Sequence, residues 1–184
     1  MTVPCRTTPS PPAPPIPIPD PSLDRATDAR RLSERLLRSD SAARTLLEWC
    51  GERMIGGGPI RAVPVAGDDA AVPPDLLEHL GTGESPRHRR VVLARGSVGL
   101  SDLDLWWLPG RLPAALGAAL ETTDHAFGVV VAPLRPRRRM VFVGLASGRH
   151  FLEHRAVVET TGDAGYRPVA AVRERYRAGL GRRG

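Results

Sequence analysis

Two arginines begin a short run of aliphatic residues at positions 88–93, where they could bring positive charge to an apolar pocket. Because side chains alternate along a strand, Arg89 shares a face with Val91 and Leu93. An arginine on such a face either extends to solvent at the strand end or meets an anion. We expect Arg89 to bind a ligand carboxylate; the alternative is a surface strand with an arginine at its end. A register shifted by one residue would give this place to Arg90.

The residue types also exclude several chemistries. All 26 lysine-plus-arginine positions are arginine, so neither a Schiff-base lysine nor a phosphate-loop lysine is present. His150 and His154 lie four residues apart, but no third metal ligand stands near them in the sequence. We therefore expect no metal site.

Charge and composition narrow the class of partner. The formal net charge of +6 favours anionic partners, either nucleic acid or small anions. Aromatic residues are not interleaved with the basic runs, and no known nucleic-acid-binding module is recognisable, so we expect no nucleic-acid partner. No stretch approaches ~20 apolar residues, and the two cysteines, Cys5 and Cys50, fit a reduced protein. We expect a soluble, cytoplasmic monomer with no membrane partner.

The elements that would position a site follow from apolar spacing and turn residues. Residues 1–22 form a proline-rich tail that we expect to be disordered, and residues 23–184 form one domain. Helices are predicted in residues 23–50, with a break at 39–41, and at 74–80 and 113–120. Strands are predicted at residues 59–66, 88–93, 103–108, 138–145, 154–160 and 166–176.

Two further features complete this outline. Residues 162–165 predict a hairpin turn between the last two strands, and residues 127–132 are compatible with either a strand or the start of a helix. Helices come first and strands mostly follow, with few long crossovers. This order indicates an α+β fold in which helices flank an antiparallel sheet.

Several segments, taken in order, resemble the chorismate–pyruvate lyase family. Residues 89–93 resemble the strand that carries that family's substrate arginine, and the helix at 41–49 with residues 59–65 resembles its opening. Residues 111–120, followed by Thr123-Asp-His-Ala-Phe-Gly128, resemble its central segment, although Ala126-Phe127 replaces the usual Pro-Leu. Residues 168–176, which include Glu174, resemble its last strand, so the resemblance spans about residues 40–178.

The resemblance implies an antiparallel, chorismate lyase-like sheet over a buried site. It also implies conversion of chorismate to 4-hydroxybenzoate and pyruvate without metal or organic cofactor. Arg89 would bind the ring carboxylate, while Glu174 would hold the ring hydroxyl and take part in catalysis. The alternative for Glu174 is an exposed position among neighbouring arginines. Further substrate contacts are expected from Arg155, Phe127, Gly128 and Ala42, with Arg90 as the substitute for Arg89.

A second hypothesis keeps the fold and drops the catalysis. Effector-sensing domains of some bacterial regulators are similar to this fold, so the chain would be a noncatalytic domain that binds a small carboxylate effector. Those regulators carry a helix-turn-helix module at the N-terminus, whereas residues 1–40 here offer a proline-rich segment and one or two helices. The sequence therefore leaves a lyase and a small-carboxylate-binding domain in competition.

Overall fold

A computed structural model describes residues 21–39, 41–67, 69–81, 83–162 and 165–181. The predicted proline-rich tail lies outside these residues except for its last two positions, where the first helix already begins. The helices are α1 (Pro21–Leu37), α2 (Ala42–Glu52), α3 (Pro74–Leu80), α4 (Ala114–Thr122) and the single-turn α5 (Phe127–Val130). The strands are β1 (Ile60–Pro64), β2 (Arg87–Arg95), β3 (Val98–Trp107), β4 (Arg137–Leu145), β5 (His150–Gly162) and β6 (Gly165–Arg177).

The strands form one antiparallel sheet of six, in the order β1-β2-β3-β6-β5-β4. β2 and β3 form a hairpin across Gly96 and Ser97, and Gly96 supplies the positive φ of 60° that this tight turn needs. β5 and β6 pair as far as Gly162 and Gly165, the ends of the predicted hairpin. An α+β fold with helices flanking an antiparallel sheet is therefore confirmed.

Four helices pack on one face of the sheet, which we call the inner face. On α1 the buried positions Ala29, Leu32 and Leu36 follow the helical period, so one stripe of the helix enters the core. Ser41 caps α2 by accepting a hydrogen bond from the Arg44 N–H at 3.3 Å, which explains the break between α1 and α2. The inner face holds the larger of the two apolar clusters.

α3 lies on the opposite, outer face, where its Leu76 and Leu80 pack against Trp106, Leu108 and Val157. Pro74 opens this helix at a position where a missing N–H costs nothing. The rest of the outer face carries arginines paired with buried acidic residues, among them Asp104 and Glu153. The sheet thus separates an apolar inner face from a charged outer face.

The structure differs from the predicted elements mainly in strand length. β3 begins at Val98 and not at residue 103, because the tight turn lets the chain pair with β2 at once. β5 begins at His150 and not at residue 154, because it pairs with β6 along its whole length. Residues 127–132, which the sequence left open, begin as the helical turn α5.

Candidate functional site

A cavity of about 270 Å³ lies between the inner face of the sheet and the helices α1, α2 and α5. Its volume is close to the lower end of the ~300–1,000 Å³ that small-molecule sites usually enclose. Most of its wall is apolar, with aliphatic side chains from the sheet and Phe127 from α5. The sheet contributes Leu93, Leu103, Arg137, Arg138, Met140, His154, Val158, Val172 and Glu174.

Strand register brings Glu174 to the floor of this cavity. On β6 it pairs with Leu103 on one side and with His154 on the other, so all three side chains share the inner face. Glu174 is only 2% exposed. The Ser101 hydroxyl donates a hydrogen bond to its Oε1 at 2.8 Å, which leaves Oε2 directed to other partners.

Arg138 brings a positive charge to the cavity, whose lining also includes Arg38 and Arg137. Its Nη2 lies 3.7 Å from Oε2 of Glu174, which is an ion-pair distance but too long for a hydrogen bond. Within the part of the chain that the structure describes, no hydrogen bond from the Arg138 guanidinium is found. A planar fork of five N–H donors is therefore available at the cavity wall.

His154 is a further polar group of the cavity and is almost completely buried. Its Nε2 lies 3.0 Å from the hydroxyl of Ser33 on α1. Burial lowers the pKa of His154 from 6.5 to about 4, and the positive charge of Arg138 acts in the same direction. The imidazole is therefore neutral at physiological pH, with one ring nitrogen as donor and the other as acceptor.

Tyr176 lies next to His154, below the floor of the cavity. Its ring meets His154 edge-on, with 5.3 Å between the ring centroids. Burial raises the pKa of Tyr176 well above its ordinary value, and the negative charge of Glu174 adds to the effect. The phenol therefore stays protonated across the range in which proteins function.

Four of the residues expected at the site line this cavity. Glu174 lies at its floor, Phe127 and Gly128 come from α5, and Ala42 comes from the first turn of α2. These residues belong to three separated stretches of sequence, and the packing of α2 and α5 over the sheet brings them together.

The structure places the three predicted arginines elsewhere. Arg89 does share a face with Leu93, but its guanidinium donates to the carbonyl oxygens of Leu120 and Thr123 at the end of α4. It therefore does not line the cavity, and it is also not the surface arginine of the alternative, because it is half-buried against the end of α4. Burial lowers the pKa of Arg89, and the nearby Asp124 carboxylate opposes that effect.

Arg90 and Arg155 lie on the outer face. Nε of Arg90 donates to Asp104 at 2.7 Å, and Nη1 of Arg155 donates to Asp75 on α3 at 2.7 Å. Arg155 also covers the ring of Phe142 at 4.1 Å. Successive side chains on a strand point to opposite faces. Since His154 points to the inner face, its neighbour Arg155 points to the outer face.

Sequence reasoning missed Arg138 and His154 as cavity residues. Arg138 is the middle of three consecutive arginines, and only the pairing of β4 with β5 decides which of them faces inward. His154 has a usable signal, because it is the cross-strand partner of Glu174. That signal appears only when the register of β5 against β6 is known.

The described residues lack two kinds of feature. They contain no group of three or more histidine, cysteine, aspartate or glutamate side chains arranged to hold a metal ion. No helix within the described ranges is both long enough and apolar enough to cross a membrane.

Comparison with known proteins gives one relative in sequence. The chain is 39% identical over 107 residues to the uncharacterized protein y4mC of Sinorhizobium fredii. The matched region is 56% of this chain and 45% of that protein, so the chain spans less than half the length of its curated relative. The chain matches no protein-family model.

Two solved structures are distantly similar. One is described as the ligand-binding domain of a GntR-family transcriptional regulator from Bordetella bronchiseptica, with TM-score 0.45 and 20% identity over 65% of this chain and 83% of that one. The other is described as the transcriptional regulator YydK from Bacillus subtilis, with TM-score 0.43 and 12% identity over 66% of this chain and 60% of that one. Neither similarity is high enough to assign the chain to a family or to a function.

Proposed function

We propose that this domain binds a small organic acid in the inner-face cavity, with the ligand carboxylate on Arg138. The observation that carries the proposal is the position of the Arg138 guanidinium. It lies at a mostly apolar cavity, and its N–H groups donate no hydrogen bond to the described residues. A carboxylate accepts two parallel N–H bonds from such a fork, and the surrounding apolar wall strengthens the contact. Each charge-assisted bond of this kind contributes about 1.5–3 kcal/mol.

The other polar groups suggest what else the ligand carries. The Ser101 hydroxyl donates to Oε1 of Glu174, and Oε2 can accept a further hydrogen bond from a ligand hydroxyl. The neutral His154 adds a partner without adding charge. The apolar wall, including Phe127, suits a ring. A cyclic hydroxy acid therefore fits the arrangement.

A chorismate–pyruvate lyase is the second candidate function. It is favoured by Glu174, which lies in the cavity together with Phe127, Gly128 and Ala42, the positions that the family resemblance had suggested. In that reaction the ring loses a proton and the bond between the ring carbon and the ether oxygen breaks, with its electron pair going to oxygen. The ring becomes 4-hydroxybenzoate, and the released enolpyruvate takes up a proton to become pyruvate. Aromatisation drives the step, so the protein would supply orientation and one proton acceptor.

Substitution of Arg138 tests the binding proposal. We expect Arg138→Ala to weaken the binding of 4-hydroxybenzoate by about 10–100-fold, because a charge-assisted contact is lost. Isothermal titration calorimetry measures the affinity. Arg139→Ala is the matched control, since Arg139 is the next residue on β4 and pairs with Glu159 at 3.0 Å. Equal affinity in the Arg138→Ala variant and the native protein would refute the assignment.

Incubation with chorismate separates the two functions. If the domain is a lyase, chromatography will detect 4-hydroxybenzoate in amounts that exceed the protein, and Glu174→Gln will abolish it. If the domain only binds, chorismate or 4-hydroxybenzoate will show saturable binding while chorismate is recovered intact. Absence of both binding and turnover would contradict both proposals.

A further inference from the structure

The connection between α4 and α5 is attached to the edge of the sheet at several points. Arg89 on β2 donates to the carbonyl oxygen of Leu120, and to that of Thr123 at 2.7 Å. The N–H of Ala62 on β1 donates to the carbonyl oxygen of Asp124 at 2.7 Å. The last carbonyls of a helix have no partner within it, so the guanidinium satisfies groups that would otherwise be left open.

This connection leads directly into the cavity wall. Ala126, Phe127 and Gly128 follow it within a few residues, and all three line the cavity. α5 has only one turn, closed by hydrogen bonds such as that from Val131 N–H to Phe127 O at 3.0 Å. A single turn has little stability of its own, so its position depends on what holds its ends.

We propose that Arg89 is a positioning residue that fixes the α5 wall of the cavity through the α4–α5 connection. It acts on the ligand only through Phe127 and Gly128, and does not contact the ligand itself. The effect on binding rests on the proposed function of the cavity, whereas the effect on α5 does not.

The chain provides a matched control in Arg87. Arg87 lies two residues before Arg89 on the same face of β2 and also reaches α4. Its partner is the side chain of Glu121, and the two side chains are 59% and 39% exposed. An exposed ion pair of this kind contributes little stability. Arg87→Ala therefore removes a positive charge from the same end of β2 and leaves the hydrogen bonds of Arg89 to the backbone carbonyls intact.

Hydrogen exchange of the ligand-free protein tests the inference. In Arg89→Ala we expect the amides of Val129, Val130 and Val131 to exchange about tenfold faster or more, because α5 opens locally. Amides of the β5–β6 pair should exchange as in the native protein, and Arg87→Ala should leave both regions unchanged. Arg89→Lys, which keeps a donor but not the planar fork, should give an intermediate rate.

Titration with 4-hydroxybenzoate then separates positioning from contact. Arg89→Ala should weaken its binding by the factor by which the fraction of molecules with α5 closed falls, whereas Arg138→Ala should weaken binding with α5 exchange unchanged. The inference is overturned if α5 exchange in Arg89→Ala is native, or if every region of the protein accelerates together. Lost binding with native α5 exchange would instead make Arg89 a ligand contact. Failure of the native protein to bind would refute the proposed function, and the ligand-free exchange result would still decide the role of Arg89.

Discussion

A buried histidine that stays neutral gives the cavity a polar partner without a second positive charge beside Arg138. His154 stays neutral because it is buried, and burial is the main reason that its pKa falls to about 4. A protonated imidazole there would be desolvated and would face the guanidinium of Arg138. The Ser33 hydroxyl, 3.0 Å from Nε2, occupies one ring nitrogen and leaves the other for different contacts.

The same histidine makes stability depend on pH. The pKa of His154 is 6.5 in the unfolded chain and about 4 in the folded one, so the unfolded state binds the extra proton between these values. Stability contributed by the neutral ring is fully present above pH 6.5 and is lost as the pH falls toward 4. The loss should reach about 3 kcal/mol, which urea unfolding at a series of pH values measures.

Comparison with His154→Gln isolates this effect. Glutamine keeps a hydrogen-bonding group in the cavity and does not titrate, so its stability should fall much less between pH 6.5 and 4.5. His125→Gln is the control, because His125 is exposed. The stability contributed by carboxylates with lowered pKa values, such as Asp102 and Glu159, is fully present above their unfolded values of 3.8 and 4.5 and is lost only at lower pH. Parallel pH profiles for the native protein and His154→Gln would contradict the prediction.

At the scale of elements, the loop after α2 is fitted closely to the β2–β3 hairpin. Arg95 donates to the carbonyl oxygens of Ile55 at 3.0 Å and Gly58 at 3.1 Å. Gly56, with a φ of 62°, lies so near the Arg95 backbone that a Cβ atom there would overlap the carbonyl oxygen. The loop and the hairpin therefore fix each other's position.

Gly56→Ala should destabilise the protein, because it combines a positive φ with a backbone clash. We expect the free energy of unfolding to fall by about 2–4 kcal/mol, as measured from the urea midpoint. Gly57→Ala is the control, since no atom lies within 4 Å of a Cβ built at that glycine. Equal stability of the two variants would show that the loop can move away from the hairpin without cost.

For the whole molecule, local signals predicted the elements better than the site. The helix at residues 74–80 has its predicted bounds because Pro74 and Gly81 mark its two ends. The face of Arg89 also follows from alternation along β2. The hydrogen-bond partners of the Arg89 side chain do not follow from alternation, because the two carbonyls are 31 and 34 residues away in the chain.

Two kinds of information identify the cavity residues, namely the family resemblance and the register of the strands. Glu174 and Phe127 were expected from the family resemblance, which compares whole segments and is insensitive to exact pairing. Arg138 depends on how β4 aligns with β5, and a bulge lies between Met140 and Phe142 on that strand. Since one residue of shift exchanges the two faces, no local pattern identifies the inward arginine.

The outer face explains why so many arginines can be accommodated without leaving a bare positive surface. Buried acidic residues on neighbouring strands each form ion pairs with more than one arginine. Glu153 pairs with Arg173 and Arg155, both at 3.0–3.1 Å. Asp104 pairs with Arg90 at 2.7 Å and lies 3.6 Å from Arg175, so it links β2, β3 and β6.

Asp104→Asn tests how much this network supports the sheet. Asp104 is 3% exposed, and its removal leaves Arg90 and Arg175 without their shared counter-charge. We expect the free energy of unfolding to fall by about 2–3 kcal/mol, less than for a fully buried pair because both arginines are partly hydrated. Asp124→Asn, which breaks the exposed pair with Arg61, should change stability much less. Urea midpoints at pH 7 give both values, and a neutral Asp104→Asn would mean that hydration alone supports the outer-face arginines.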